Sequence, residues 1–354
     1  MNLNASLEST NAPCLSTISK DFIANFVPYF NIAIFILGFL GNSAVILVLL
    51  FKKTRRTIPE IYFTNLAFAD IIFVSSLPFW ATNIIFEYQW PFGSFMCRLL
   101  GGITSLNVYS SIFLLTAISW DRCVALVLPL KAGLRRNSKS TFRTCLIIWI
   151  LAFLFTIPTI VFRKTKHLPE YNITACILDY PNFTWTVSNS IILLTVGFVI
   201  PFSIMTFCSI KIVRELRQPK LQHMHGRDKQ KRVVVLIMAV VVTFFFCWLP
   251  FQVVTFLHIL HLFALLPGCL WEEVLEKGNQ YTSYIAYCNS CLNPFLYVLL
   301  GKIYRKRIGE IVRRFSHQLS TLSRFTVSET LPNTMQPSVQ CTSITQVQVS
   351  RSDV

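Results

Sequence analysis

Polar side chains recur inside the apolar parts of this chain, spaced so that they can share helix faces and bond to one another across helices. Asn289 and Asn293 stand four apart with Ser290 between, so on a helix the two amides share a face. Asn107 and Ser111 repeat that spacing. Asp70 is a carboxylate within an apolar run, and Asp121-Arg122 places opposite charges at the end of another. Such groups are costly in hydrocarbon unless partnered, so they must meet across elements. A carboxylate, hydroxyls and amides form either a satisfied structural polar knot or a functional site. No mid-span His/Asp metal set or Ser/Lys pair accompanies them, and the chain reads as a non-enzyme. Two prolines complete the set. Pro294 follows Asn293, removes a backbone donor and is expected to break or loosen its helix; Pro250 permits a bend beside Trp248.

The elements that position these residues are apolar stretches of spanning length. The chain has 354 residues, 53% hydrophobic and 14% charged, with mean hydropathy +0.55. That is a membrane composition. Seven stretches fall near 26–51, 60–85, 95–128, 142–162, 184–217, 229–262 and 272–299, each about twenty residues or more. In a bilayer they must be helices. Basic residues (Lys52 to Arg56, Lys131 to Arg143, Arg214 to Arg232, Lys302 to Arg307) fill alternate connections and the final segment. That side is cytoplasmic, and the N-terminus is extracellular. The sequons at Asn4, Asn172 and Asn182 then all lie outside, as candidate glycosylation sites. Residues 1–25 read as a polar tail, 26–300 as the bundle, 301–315 as a basic amphipathic helix on the inner membrane surface, and 316–354 as a Ser/Thr-rich disordered, phosphorylatable tail. Ser352-Asp353-Val354 is a weak match to a PDZ ligand. Nothing suggests nucleic acid as a partner. Inverted repeats with paired broken helices, the mark of a transporter, are not evident.

Gly41-Asn42, Asn65 to Asp70, Asp121-Arg122-Cys123, Trp149 with Pro158, Phe246 to Pro250 and Asn289 to Tyr297 follow in order, one motif per span. Together with Asn107 and Ser111 they resemble the rhodopsin-like G-protein-coupled receptors over about 26–315. The resemblance implies an all-α, seven-transmembrane helix bundle with a short eighth helix, at the plasma membrane. It implies a chamber formed by Asp70, Asn107, Ser111, Asn289, Ser290 and Asn293, with sodium as the usual occupant and no other cofactor. Arg122 would face a heterotrimeric G protein, held by Asp121 when inactive, with Trp248, Pro250, Pro294 and Tyr297 as moving parts. Receptor kinases and arrestin would act on the tail. Cys97 and Cys176 would be joined, and a second bridge is expected between Cys14 and Cys269, as in several peptide-receptor groups. Cys123 and Ser209 stand where most members have tyrosine, and Gln230 replaces a frequent acid. These departures predict a weaker inactive-state lock and higher basal signalling.

The third span carries no acid three turns outward of Arg122, against amine ligands. Glu272, Glu273 and Glu276 form an acidic rim at the start of the seventh, suited to a basic peptide. Leu77 to Trp80, Trp90 to Gly93 and Asn107 to Ser111 look like the angiotensin and bradykinin receptor group. Asn172 to Cys176, Cys247 to Leu257 and Ala286 to Pro294 are most similar to bradykinin receptors, the type-2 kind above all. Leu193 replaces the lysine by which angiotensin receptors hold their peptide's carboxylate. The peptide-binding residues implied are Glu276, Gln280, Glu272, Glu273, His258, Thr255, Trp80 and Tyr287. His258 stands where kinin receptors carry an acid. The expected function is a receptor for a kinin-like peptide that releases calcium through phospholipase C. The alternatives are a receptor for another peptide such as angiotensin or a chemokine, or a non-signalling scavenger.

Overall fold

The structure, a computed structural model, describes residues 20–51, 56–127, 137–217 and 227–300, with Gly309 and Arg313. The expected surface helix over 301–315 and the tail after it lie outside that set, apart from those two residues. So do Asn4, Cys14 and the side chain of Gln230.

Seven helical spans are present. They are α1 (Lys20–Leu50), α2 with α3 (Ile58–Val74, Leu77–Ile85), α4 (Gly93–Val127), α5 (Ser138–Phe162), α6 through α7 (Phe183–Leu194, Ile200–Arg217), α8 (Arg227–Leu262) and α9 (Cys269–Leu300). Six are long and apolar enough to cross a membrane. α9, with Asn289, Ser290 and Asn293 in its inner half, is not among the six. Exposed side chains such as Leu146, Ile150, Phe153 and Leu154 give α5 an apolar outer face. That face suits lipid.

The described part of α1 runs from Lys20, within the stretch read as tail. In three places the spans differ from the sequence expectations. The second span is not one helix. It breaks at Ser75-Ser76 ahead of Pro78, and the two serine hydroxyls donate to the carbonyls of Ile71 and Phe73. The fifth span contains a π-helical turn, Thr195–Val199, just before Pro201. A proline cannot donate in α-register, and the wider turn absorbs the mismatch. α9, by contrast, runs unbroken through Pro294 to Leu300. The carbonyl that Pro294 cannot serve is that of Ser290, and Asn42 Nδ2 donates to it at 2.8 Å. Gly41 permits this approach, since a Cβ there would lie 2.9 Å from Pro294.

One element lies outside the expected all-α frame. β1 (Arg163–Leu168) and β2 (Ile173–Leu178) form an antiparallel hairpin in the second outer connection, with Thr165 opposite Cys176. Its turn places Asn172 at φ 50°, a left-handed conformation that asparagine tolerates. The Cys97–Cys176 disulfide fastens β2 to the start of α4. The Trp90 N–H donates to the Thr174 carbonyl at 2.8 Å, and the Thr174 N–H to Gln89 Oε1 at 2.7 Å. The hairpin is thereby fixed over the outer end of the bundle.

Candidate functional site

The inner polar cluster is assembled from three spans. Asp70 (α2) accepts from Asn107 Nδ2 (α4) at 3.2 Å and from Asn293 Nδ2 (α9) at 3.0 Å. The Ser290 side chain also bonds it. Asn107 Nδ2 lies 3.3 Å from Ser111 Oγ as well. All of these residues are buried. Asn289 is buried too, but its Oδ1 has no partner among the described residues, and neither does Asn293 Oδ1. Five of the six expected chamber residues therefore meet around Asp70, and Asn289 is not bonded to it.

A sodium ion needs oxygen ligands. The Asp70 carboxylate, the Ser111 and Ser290 hydroxyls and the two unpartnered amide oxygens fit that requirement. Asn107 does not, because it presents nitrogen to the carboxylate.

Toward the cytoplasmic side, Arg122 Nη2 and Nε donate to Asp121 Oδ2 at 2.7 and 3.1 Å. Tyr297 is buried with its ring 4.8 Å from that of Phe63. Trp248 packs on Phe244 and Phe251, at 5.8 and 5.9 Å between ring centroids, two residues before Pro250. Trp149 Nε1 donates to Asn65 Oδ1 at 3.1 Å, tying α5 to α2.

At the outer end the expected rim is only partly available. Glu273 pairs with Lys277 one turn on, while Glu272 and Glu276 are exposed. Gln280 Nε2 donates to the Tyr88 hydroxyl at 2.8 Å. Thr255 is buried and its hydroxyl donates to the Phe251 carbonyl. His258 is half-buried on α8. Tyr287 packs edge-on to Phe73, 5.1 Å away. Asn172 is exposed at the hairpin turn, and Asn182 caps α6 by accepting the Trp185 N–H at 3.0 Å. Cys269 is disulfide-bonded, and its expected partner Cys14 lies outside the described residues.

The residue that sequence reasoning misses is Arg163, which in the sequence is one of several charges in its loop. In the fold its guanidinium lies over the Trp80 ring, 5.4 Å from the centroid. Tyr287 and Tyr180 lie within electrostatic reach. Its Nε is buried without a partner, and among the described residues no carboxylate bonds the group. Burial pulls its pKa below the usual guanidinium value, and the two tyrosines act in the opposite sense. Its stem fills the space above Gly101, where a Cβ would lie 2.2 Å from Arg163 Cδ. The Gly101-Gly102 pair in mid-span is the available signal, since adjacent glycines mark close approach. A second missed group is Gln252, one turn above Trp248, which is buried with both amide atoms unpartnered among the described residues.

A part-buried ion pair at the inner end, a polar core and a cation-bearing outer end are joined in one helix bundle. The profile of the family described as 7 transmembrane receptor (rhodopsin family) matches residues 41–297. The chain belongs to that family. This receptor is 38% identical over 339 residues to the B2 bradykinin receptor of Cavia porcellus, covering 95% of this chain and 91% of that protein. It is 39% identical over 286 residues to the B2 bradykinin receptor of Homo sapiens (80% and 73% covered). It is 36% identical over 296 residues to the B1 bradykinin receptor of Macaca mulatta (83% and 84%). The receptor is a multi-pass protein of the plasma membrane, and coupling to G proteins is general for its family.

Proposed function

We propose that the receptor binds a kinin-like peptide, with the peptide's terminal carboxylate on Arg163 and its basic groups at Glu276 and Glu272. The observation that carries this reading is the half-buried guanidinium over Trp80, its Nε buried and unpartnered, with no carboxylate among the described residues. A partly desolvated charge without a counter-ion is costly, and a ligand carboxylate relieves that cost. Similarity to B2 and B1 bradykinin receptors supports a kinin over other peptides. Signalling runs through heterotrimeric G proteins to phospholipase C and calcium release, with receptor kinases and arrestin acting on the tail. Sodium bound by Asp70, Ser111 and Ser290 supplies the positive charge that the carboxylate lacks. The deciding experiment is calcium flux in receptor-expressing cells across a panel of kinins, angiotensins and chemokines. Response to kinins alone supports the reading, and response to another class, or high-affinity binding without any flux, removes it.

Two further results are expected. Glu276→Gln right-shifts the kinin response by on the order of tenfold, about 1.4 kcal/mol. A superimposable dose–response curve would take Glu276 out of the site. Cells expressing the unliganded receptor show basal inositol phosphate above untransfected cells, because Cys123 and Ser209 lack the hydroxyl-bearing rings usual there. Output equal to untransfected cells contradicts this.

A further inference from the structure

We propose that a cavity at the outer end of the fourth and fifth spans holds the phosphate headgroup of an outer-leaflet phospholipid. The cavity is about 320 Å³ and is lined by Val161, Phe162, Lys164, Asp179, Tyr180 and Pro181. None of these is assigned a contact with the peptide, although Tyr180 lies within electrostatic reach of Arg163, so the cavity is a second site beside the first. It lies where α5 passes into β1 and where β2 turns into α6.

Its chemistry changes from one side to the other. Lys164 and Lys166, two apart on one face of β1, both reach Asp179 Oδ2, at 2.9 and 3.6 Å. Two ammonium groups share one carboxylate, leaving one positive charge at the mouth. The Lys164 hydrogen bond and charge hold the Asp179 carboxyl below its usual range, so that carboxylate stays ionised beside the lysines. Tyr180 lines the cavity, while its hydroxyl is buried within electrostatic reach of Arg163. A phosphodiester accepts from such ammonium donors. The wall is aromatic: Phe162 meets Tyr180 at 5.5 Å and Trp185 at 5.1 Å between centroids. Below the mouth, Val161 and Ile157 are exposed one turn apart on α5, and Trp185 is exposed near the start of α6. Lysine, tyrosine and tryptophan above an apolar helix face are the arrangement of a membrane interface. A soluble phosphate has no use for that face, whereas an acyl chain lies along it.

The test uses the full-length receptor in neutral-detergent micelles doped with radiolabelled dioleoylphosphatidylglycerol. The receptor is expected to retain about one lipid per molecule, undisturbed by glycerol 3-phosphate. Lys164→Gln with Lys166→Gln lowers retention at least fivefold, while Lys164→Arg with Lys166→Arg keeps it. Equal retention by wild type and the glutamine pair overturns the proposal, as does loss in the arginine pair. Displacement by glycerol 3-phosphate also overturns it, because the site would then serve free phosphate rather than lipid.

Discussion

Arg163→Ala is expected to lower the potency of a kinin with a free terminal carboxylate by about a hundredfold, roughly 2.7 kcal/mol. Truncating one partner of a desolvated, hydrogen-bonded charge pair costs about 2–5 kcal/mol, so the expected loss lies within the usual range. The guanidinium is held in place from several sides: Trp80 beneath it, Gly101 against its stem, and the Cys97–Cys176 disulfide fixing the adjoining hairpin. Arg163→Lys restores only part of the loss, because a point charge cannot make a planar forked contact with carboxylate. Gly101→Ala provides an independent check. The new methyl occupies the space of Arg163 Cδ and displaces the side chain without removing its charge. Competition binding on intact cells, normalised to surface receptor, reads both variants. Wild-type affinity in both would separate Arg163 from the ligand.

Asp70→Asn is expected to uncouple peptide binding from G-protein activation. The carboxylate accepts from Asn107, Asn293 and Ser290. An amide keeps one acceptor oxygen and turns the other side into a donor facing donors. Each buried polar group left unsatisfied costs about 1–3 kcal/mol. The hydrogen bonds this breaks join α2, α4 and α9, between the outer end of the bundle and Arg122. Peptide affinity is therefore expected to stay within about threefold of wild type, while maximal nucleotide exchange on the G protein falls below about a fifth. Undiminished exchange at saturating peptide would show that the cluster is structural only.

Much of this architecture is legible in the sequence, because hydrocarbon leaves few alternatives. Spans of apolar residues must be helices, and buried polar residues at four-residue spacing must find partners. Which partners they find, Asp70 with Asn107 and Asn293, is what the resemblance to the rhodopsin-like receptors implies before any coordinate. The backbone around prolines is less legible. Pro78 and Pro201 are accompanied by a break and a π turn, whereas Pro294 lies in an intact helix whose orphaned carbonyl is bonded by Asn42 from another span. Local sequence cannot report a donor that arrives from 248 residues away. The outer hairpin escapes sequence reading for a related reason. Arg163 to Leu168 is a charged run without apolar alternation, held by pairing with β2 and by the disulfide. Arg163 looks like one more loop charge until the fold sets it over Trp80. Glu273 looks available until Lys277 closes on it.

Docking of a peptide carboxylate on Arg163 is tested most directly by a two-by-two comparison of affinities. The ligands are a kinin with a free terminal carboxylate and its terminal amide; the receptors are wild type and Arg163→Ala. Amidation is expected to cost about a hundredfold on wild type, roughly 2.7 kcal/mol, and nothing beyond error on Arg163→Ala. An equal loss on both receptors would contradict the docking.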